Sequence, residues 1–291
     1  MNLEAARAAL TLFPGEDAGA FVSGLFALDA ETLARASCVL FHAGDPVLTD
    51  GGAFPRCDAV AALGPGAYHS VGHLDGVPLV AAEIDDKTVL PAGLASPNLR
   101  GLAMRAPGAV WAAAAYASQV LHWARTNRFC GLCAAPMVQR KPLERAMVCT
   151  ACGHSVWPRL APCTIALVYD RAGRVLMTRK AEWPAGRYGL VAGFLEPGET
   201  LEACVRREVY EETGVRVGRV DYAASQPWPF PHQLMVGYFA EAESDAVSLL
   251  DGELEDARWF AHDALPQLPP RLSIARSLVD AWRATLAPTD R

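Results

Sequence analysis

GFLEPGETLEACVRREVYEETGV, which runs from Gly193 to Val215, is the most informative segment of the chain. Its Pro-Gly pair predicts a turn, and the residues after that pair predict a helix that begins at Thr200 and ends at Gly214. Leucine and valine recur at every fourth position of this helix, so one of its faces packs inward. The segment therefore predicts a loop, an amphipathic helix and a second loop.

Three carboxylates share another face of the predicted helix. Glu208, Glu211 and Glu212 stand three and four positions apart, a spacing that brings their side chains together. Like charges at this spacing repel each other, and Mg²⁺ or Mn²⁺ relieves the repulsion because both ions prefer carboxylate oxygens. Arg207 can orient the group through a charge-assisted hydrogen bond. The alternative is a solvated acidic helix face without a bound ion.

The same segment resembles the Nudix box. That pattern is a glycine, five residues, a glutamate, seven residues, Arg-Glu, an aliphatic residue, any residue, Glu-Glu, any residue, a glycine and an aliphatic residue. Every specified position is filled here, by Gly193, Glu199, Arg207, Glu208, Val209, Glu211, Glu212, Gly214 and Val215. A match of this length is highly specific. The resemblance implies an α+β fold, a Nudix α/β/α sandwich with a mixed sheet, and a metal-dependent hydrolase of a nucleoside diphosphate linked to a further group.

The resemblance also implies roles for residues in and around the box. A divalent cation neutralises the phosphates and lowers the pKa of water, so the site needs metal ligands and a base. The implied ligands of Mg²⁺ or Mn²⁺ are Ala192 (through its carbonyl), Glu208, Glu211, Glu212 and Glu253, with Glu199 a weaker candidate. The implied catalytic residues are Arg207, Glu211, Glu212 and Glu253. The general base stays open among the three glutamates of that second group.

A proline-aromatic segment follows the box. Ser225 to Pro231 reads SQPWPFP, in which the prolines stiffen the backbone that carries two aromatic rings. A stiff support favours stacking on a flat ring, and the alternative is a proline-rich corner with its aromatic rings in the core. The segment resembles the SQPWPFPxS array of the NADH pyrophosphatase branch of Nudix hydrolases. It departs from that array where Gln233 replaces the final serine.

Resemblance to this branch implies a substrate. It implies hydrolysis of NAD(H) to NMN(H) and AMP, removal of NAD caps from RNA 5′ ends, and a homodimer. The implied substrate-binding residues are Trp157, Phe194, Gln226, Trp228 and Ala275. Two other functions compete: a Nudix hydrolase of ADP-ribose or other nucleotide sugars, and a zinc-ribbon nucleic-acid-binding protein with a degenerate Nudix domain. The aromatic array disfavours the first, and the complete carboxylate set disfavours the second.

Four of the eight cysteines form two closely spaced pairs. Two residues separate Cys130 from Cys133, and two separate Cys149 from Cys152, which is the spacing of a tetrahedral zinc site made of two knuckles. Four thiolates leave no position for substrate, so this Zn²⁺ is predicted to be structural. The NADH pyrophosphatase branch commonly carries such a ribbon between an N-terminal domain and the Nudix domain.

Three modules are predicted along the chain: an N-terminal α/β domain at residues 1–125, a zinc ribbon at 126–158 and a Nudix domain at 159–291. In the first module, an Asp-Gly turn predicts a hairpin of residues 70–73 and 77–82, and an alanine-rich run predicts a helix from Pro107 onward. No chemistry is evident there. In the third module, strands are predicted at residues 164–169, 174–178, 189–194, 216–224, 234–242 and 257–260, and a closing helix near 273–286.

Composition and charge limit the class of protein. A chain of 291 residues that is 52% hydrophobic and carries a net charge of −6 is an ordinary globular protein, not a general nucleic-acid coat. The chain shows no apolar run of membrane-spanning length and no signal peptide, so a cytoplasmic location is expected. A basic cluster around the ribbon can attract RNA, although solvated surface charge is the stronger explanation; it comprises Arg125, Arg128, Arg140, Lys141, Arg145 and Arg159.

Overall fold

The computed structural model describes residues 1–13, 20–106, 108–250 and 252–286. The chain divides into two compact units. The C-terminal unit consists of Met1–Phe13, Ala161–Trp228 and Gln233–Arg291, and the N-terminal unit of Pro14–Leu160 and Pro229–His232. The ribbon residues belong to the N-terminal unit, and the first residues of the chain belong to the C-terminal one. The three modules at 1–125, 126–158 and 159–291 stay a proposal.

Seven α-helices and sixteen strands lie within the described ranges. The α-helices are α1 (Leu3–Ala8), α2 (Ala30–Arg35), α3 (Cys57–Val60), α4 (Leu99–Leu102), α5 (Gly108–Thr126), α6 (Leu201–Thr213) and α7 (Ile274–Ala284). The strands are β1 (Phe21–Ser23), β2 (Ser37–His42), β3 (Asp45–Pro46), β4 (Leu48–Thr49), β5 (His69–Leu74), β6 (Val77–Glu83), β7 (Leu94–Ala95), β8 (Met137–Gln139), β9 (Met147–Cys149), β10 (Ser155–Val156), β11 (Ala161–Tyr169), β12 (Val175–Arg179), β13 (Val191–Phe194), β14 (Val217–Trp228), β15 (Gln233–Ala242) and β16 (Asp256–Phe260). None of these helices is both long and apolar enough to cross a membrane.

A mixed six-stranded sheet forms the centre of the C-terminal unit. Its order is β14-β15-β11-β12-β16, and β13 pairs with β11 as well. The pairing of β11 with β15 is parallel, and the other pairings are antiparallel. The antiparallel pairing of β11 with β12 confirms the hairpin predicted from residues 164–169 and 174–178.

Helices cover both faces of this sheet because β11 is apolar on both sides. Ile165 and Leu167 lie in one core with residues of α1 and α7. Ala166 and Val168 point the opposite way and lie in a second core with residues of α6. Alternate residues of a strand face opposite sides, so a continuous apolar run requires cover on both. This arrangement confirms the predicted α/β/α sandwich with a mixed sheet.

Helix α6 begins and ends where its capping residues predict. The side-chain oxygen of Thr200 accepts a hydrogen bond from the backbone N–H of Ala203, which satisfies a free donor of the first turn. Gly214 has a φ of 68°, and its N–H donates to the carbonyl of Tyr210. This left-handed conformation favours glycine and ends the helix. The box carboxylates are thus held on a helix that is capped at both ends.

The N-terminal unit contains a five-stranded sheet of order β1-β5-β6-β2-β3. Strands β2 and β6 pair in parallel, and α5 packs against β1, β5 and β6. The predicted hairpin is confirmed, with Asp75 and Gly76 at positive φ in its turn. The predicted helix is confirmed as α5, although Pro107 itself lies outside the described residues. The order β5-β6-β2-β3, with its one parallel pair, repeats the order β14-β15-β11-β12 of the other sheet.

The cysteine-rich part of the N-terminal unit is a small three-stranded antiparallel sheet. Its order is β10-β9-β8. Its hydrophobic cluster contains only four buried residues, and two of them, Cys130 and Cys149, are cysteines. A core of this size stabilises little by itself, so a bound metal is needed to hold the segment.

Candidate functional site

The guanidinium of Arg207 lies where three box carboxylates converge. Its Nε and Nη2 donate to the two carboxylate oxygens of Glu199 at 2.9 and 3.0 Å. Its Nη1 donates to Oε1 of Glu208 at 2.7 Å and to Oε2 of Glu211 at 2.9 Å. Charge-assisted bonds of this kind are strong and directional. Arg207 therefore orients the carboxylates, and its catalytic role stays a prediction.

The first glycine of the box makes room for one of these carboxylates. A Cβ atom built on Gly193 would lie 1.7 Å from Cδ of Glu208. Gly193 is not among the described glycines with a positive φ, so its backbone conformation does not require glycine. The requirement comes from the close approach of the Glu208 carboxylate to the main chain. Strand β13 and helix α6 thus pack closely where Gly193 meets Glu208.

The charge balance of the cluster fits a divalent cation. Three carboxylates meet one guanidinium, which leaves an excess of negative charge. Burial raises the pKa of Glu208 above its usual range, Arg207 opposes this effect, and the charges of Glu211 and Glu253 add to it. Carboxylate oxygens are the ligands that Mg²⁺ and Mn²⁺ prefer. The donors and their charge therefore suit either ion, and the individual ligand assignments stay predictions.

We expect Gly193→Ala to lower kcat for nucleotide hydrolysis roughly 100-fold, because the new methyl group must displace the Glu208 carboxylate by an ångström or more. Steady-state kinetics at saturating Mg²⁺ measures this effect. Gly101→Ala is the matched control, because a Cβ at Gly101 meets nothing within 4 Å. A Gly193→Ala variant with the wild-type kcat would show that the position of Glu208 does not matter for the reaction.

A cleft of about 380 Å³ lies beside α6 in the C-terminal unit. Its walls include six residues that the sequence analysis placed in the site, namely Ala192, Phe194, Glu212, Gln226, Trp228 and Ala275. The ring of Phe194 is half exposed, whereas Glu212 is only 3% exposed. Glu212 belongs both to the box helix and to the cleft wall, so the carboxylate cluster and the cleft are adjacent parts of one site.

Gln226, in the wall of the cleft, connects three parts of the main chain through its side-chain amide. Its Nε2 donates to the carbonyls of Phe13 and Leu272, and its Oε1 accepts from the N–H of Ile274. The residue is 1% exposed. These bonds use both amide donors and satisfy the first turn of α7, which carries Ala275. The structure thus gives Gln226 a positioning role, and its predicted contact with substrate stays untested.

Two predicted residues, Glu253 and Trp157, lie neither in the walls of this cleft nor in the carboxylate cluster around Arg207. Glu253 follows β15 in a loop, where its side chain is exposed and Oε2 lies 3.4 Å from Nζ of Lys180. Trp157 belongs to the N-terminal unit, where its ring is half exposed and lies 5.8 Å from the guanidinium carbon of Arg140. The roles of Glu253 in metal binding and of Trp157 in stacking stay predictions.

Further residues of the cleft were not expected from the sequence. They include Cys163, Thr178, Lys180, Trp183, Met235 and Ser273. Burial raises the pKa of Cys163 to about 12, so its thiol is protonated at neutral pH and is a poor nucleophile. Trp183 could have been found from the sequence, because it lies in the loop sequence EWPAG. A tryptophan in such a loop is a candidate for binding a ligand. Cys163, Thr178 and Met235 lie on strands, Lys180 follows β12, Ser273 caps α7, and none of these residues belongs to a motif.

Four cysteine sulfurs form the second candidate site. The Sγ atoms of Cys130, Cys133, Cys149 and Cys152 all lie within 4.8 Å of one another, and within the described ranges no other acidic, histidine or cysteine group of three is so close. The measured separations are 3.7 Å for Cys130–Cys152, 3.4 Å for Cys133–Cys149 and 3.5 Å for Cys133–Cys152. A tetrahedral zinc with Zn–S bonds of about 2.3 Å places its sulfurs about 3.8 Å apart. The geometry fits Zn²⁺.

Backbone N–H groups prepare these thiols for a metal. The N–H groups of Cys152 and Ala151 both donate to Sγ of Cys149 at 3.4 Å. They lower the pKa of Cys149 to about 6. The N–H of Leu132 donates a hydrogen bond to Sγ of Cys130, also at 3.4 Å. Thiolates are the form that binds zinc, so the two hydrogen bonds to Cys149 favour its metal-binding form.

Three family models match consecutive parts of the chain. The NUDIX domain matches residues 159–282, and the NADH pyrophosphatase zinc ribbon domain matches residues 125–156. The NADH pyrophosphatase-like rudimentary NUDIX domain matches residues 35–123. The last match agrees with the strand order shared by the two sheets, and it identifies a segment whose sequence alone revealed no chemistry.

Similar proteins extend over most of the chain. A Pseudomonas aeruginosa protein named NAD-capped RNA hydrolase NudC is 45% identical over 218 residues, which are 75% of this chain and 77% of that protein. A Pseudomonas putida protein of the same name is 39% identical over 82% of this chain and 92% of that protein. A crystal structure of a NUDIX hydrolase from Nitrosomonas europaea matches 48% of this chain and 80% of its own, at 25% identity and a TM-score of 0.41. The chain therefore belongs to the NudC family, the NADH pyrophosphatase branch of the Nudix hydrolases.

Proposed function

We propose that the protein hydrolyses the pyrophosphate bond of NAD(H) to give NMN(H) and AMP, and that it also removes NAD caps from RNA 5′ ends. The observation that carries this proposal is the position of Glu212. This residue lies on α6 with the other box glutamates, and it also lines a cleft that has aromatic residues in its walls. The first feature suits a diphosphate and the second suits a flat ring. The names of the NudC relatives support the same substrates.

The chain's own residues supply binding, orientation and proton transfer. When bound, Mg²⁺ or Mn²⁺ neutralises the diphosphate and lowers the pKa of water. We propose that Ala192, Glu208, Glu211, Glu212 and Glu253 hold these ions. Arg207 keeps Glu208 and Glu211 in a fixed orientation through its hydrogen bonds. Water then adds to one phosphorus atom, the P–O–P bond breaks, and the proton of water passes to a carboxylate.

The carboxylate that takes this proton is one of three. Glu212 is buried in the cleft wall, where a base is shielded from solvent. Glu211 is half exposed and bonded to Arg207. Glu253 is exposed and lies near Lys180 outside the box helix. Each of these environments permits a proton transfer, so we propose Glu211, Glu212 and Glu253 together as the candidates for the general base.

Aromatic side chains favour a dinucleotide over a nucleotide sugar. Phe194 and Trp228 line the cleft, and we propose that they bind a flat ring of the substrate together with Ala275. Stacking on an aromatic ring is worth about 1–3 kcal/mol per base. Trp157, half exposed in the N-terminal unit, is proposed as a further stacking residue. An ADP-ribose hydrolase remains the second candidate, because ADP-ribose contains the same diphosphate. It has one flat ring, whereas NAD(H) has two.

Electrostatic attraction of RNA by the basic cluster has limited support. Arg125 pairs with Glu83 at 2.8 Å, and Arg140 pairs with Glu144 at 2.9 Å. Arg145 donates to the carbonyl of Ser70. These contacts reduce the charge that is free to attract phosphates, which favours a local role in the fold. Resemblance to the family further supports a homodimer and a cytoplasmic location, both of which we include in the proposal.

Product analysis tests the proposed substrate. The metal-loaded protein is incubated with NADH, NAD⁺, ADP-ribose and NAD-capped RNA at matched concentrations, and a sample with EDTA is the control. We expect kcat/KM for NADH to exceed that for ADP-ribose by roughly tenfold, the value of one stacked ring. A higher kcat/KM for ADP-ribose than for NADH would instead establish the nucleotide-sugar hydrolase.

A further inference from the structure

A tryptophan without an assigned role lies in the wall of the cleft. Trp183 is half buried in the loop between β12 and β13, and it lines the cleft together with Phe194, Trp228 and Glu212. Its backbone N–H donates to the carbonyl of Lys180 at 3.1 Å. The Nudix box and the proline-aromatic array both lie elsewhere in the sequence, so neither motif includes this residue.

The loop that carries Trp183 is tied down by one arginine. Nη1 of Arg179 donates to the carbonyls of Trp183 and Pro184, both at 2.9 Å. Nε of the same guanidinium lies 2.6 Å from Oε2 of Glu255, and the arginine side chain is only 13% exposed. An aromatic residue on an anchored loop loses little conformational freedom when it binds a ring, so its contact contributes more to affinity.

The indole ring of Trp183 packs directly against the backbone of Gly189. A Cβ built on Gly189 would lie 2.8 Å from Cη2 and 3.0 Å from Cζ3 of Trp183. Gly189 is not among the described glycines with a positive φ, so the approach of the ring explains the glycine there. The backbone of Gly189 exchanges two hydrogen bonds with Thr178, which hold Gly189 against β12. The benzene edge of the indole thus rests on a rigid support.

The size of the cleft limits what the three aromatic side chains can hold. A volume of about 380 Å³ is near the lower end for ligand pockets, so the cleft suits one nucleoside part of a dinucleotide. Phe194 lies on β13, Trp228 at the end of β14 and Trp183 on the anchored loop, so the rings come from three separate elements. A flat ring that enters this space therefore has three aromatic side chains among the residues around it.

We propose that Trp183 is a specificity-determining residue that packs its indole against the planar ring of the substrate in this cleft. The proposal rests on the proposed hydrolysis of NAD(H) and adds a recognition residue to it. Gly189 acts through Trp183 and is a positioning residue. The competing explanation is that Trp183 only closes the fold over Gly189, in which case its loss would change stability without changing KM selectively.

A double-mutant cycle in the metal-loaded full-length protein tests the proposal. Trp183→Ala is expected to raise KM for NADH roughly tenfold and to leave kcat within about twofold, because stacking is lost and the box is untouched. Trp183→Phe keeps an aromatic face and is expected to restore most of the affinity. Tyr222→Ala, which removes a half-exposed ring that does not line the cleft, is the control and should keep the wild-type KM.

Gly189→Ala completes the cycle. Its methyl group displaces the indole, so KM is expected to rise, and the Trp183→Ala/Gly189→Ala double variant should be no worse than Trp183→Ala alone. An unchanged KM in Trp183→Ala, or additive effects in the double variant, would overturn the proposal. If the wild-type protein does not hydrolyse NADH, the proposed function is wrong, whatever the role of Trp183. The same cycle is then measured on the nucleoside diphosphate that the wild type does cleave.

Discussion

Glu211→Gln is expected to lower kcat roughly 1,000-fold while leaving the fold intact. The Glu211 side chain is 51% exposed, and its one hydrogen bond goes to Nη1 of Arg207. Glutamine has the same shape and can still accept from Arg207, so the loss of an exposed charge should change the free energy of unfolding by less than about 1 kcal/mol. A large loss of activity would therefore come from the chemistry. Steady-state kinetics and thermal unfolding measure the two effects.

Glu202→Gln is the matched control for this experiment. Glu202 is an exposed glutamate on the same helix, and it does not bond to Arg207. The control variant should keep the wild-type kcat, because Glu202 is outside the cluster around Arg207, whose excess negative charge suits a divalent cation. A Glu211→Gln variant as active as this control would remove Glu211 from the catalytic residues.

Cys149→Ser is expected to abolish zinc binding and to unfold the ribbon locally. Structural zinc contributes about 10–16 kcal/mol of binding free energy in small zinc domains, and the hydrophobic cluster here has only four buried residues. Zinc content per chain and hydrogen exchange of residues 137–156 measure the effect. We expect wild-type protein to carry one zinc and slow exchange, and the variant to have lost both.

A buried cysteine outside the ribbon provides the comparison for that variant. Cys57 is 5% exposed in the core of the N-terminal unit, so Cys57→Ala changes a buried thiol without touching the four ligands. This variant should keep one zinc per chain. Full zinc occupancy and unchanged exchange in Cys149→Ser would contradict the assignment of the four sulfurs as the ligand shell.

The box and the ribbon could be predicted because their information is local in the sequence. The spacing of Glu208, Glu211 and Glu212 determines one helix face, and Thr200 and Gly214 determine where that helix begins and ends. The same holds for the cysteine pairs, whose two-residue spacing alone produces a knuckle. Each of these features depends on contacts between residues that are only a few positions apart in the sequence.

The role of Gln226 could not be predicted because its partners are distant in the sequence. Its amide bonds to backbone groups of Phe13 and of residues at the start of α7, which no local pattern connects to the array SQPWPFP. Resemblance to the array implied that Gln226 binds substrate, and this stays a prediction; the structure shows that the side chain is buried and donates to main-chain carbonyls. A buried amide requires such partners, but the sequence does not say which they are.

The N-terminal unit shows the same limit on a larger scale. Its sheet repeats the strand order of the Nudix sheet, including the parallel pairing of β2 with β6, yet the two segments share no visible sequence repeat. Pairing of strands so far apart along the chain depends on tertiary packing. Between β3 and β5 the longest described α-helix is α3, of four residues, so this sheet lacks a counterpart of α6 and of its carboxylates.

The central claim is that the box carboxylates and the adjoining cleft split the diphosphate of a dinucleotide. Mass spectrometry of the products formed from NADH by the metal-loaded protein tests it most directly. We expect one NMNH and one AMP for each NADH consumed, no reaction in EDTA, and the roughly 1,000-fold lower rate with Glu211→Gln. Intact NADH, or release of nicotinamide and ADP-ribose in place of two mononucleotides, would contradict it.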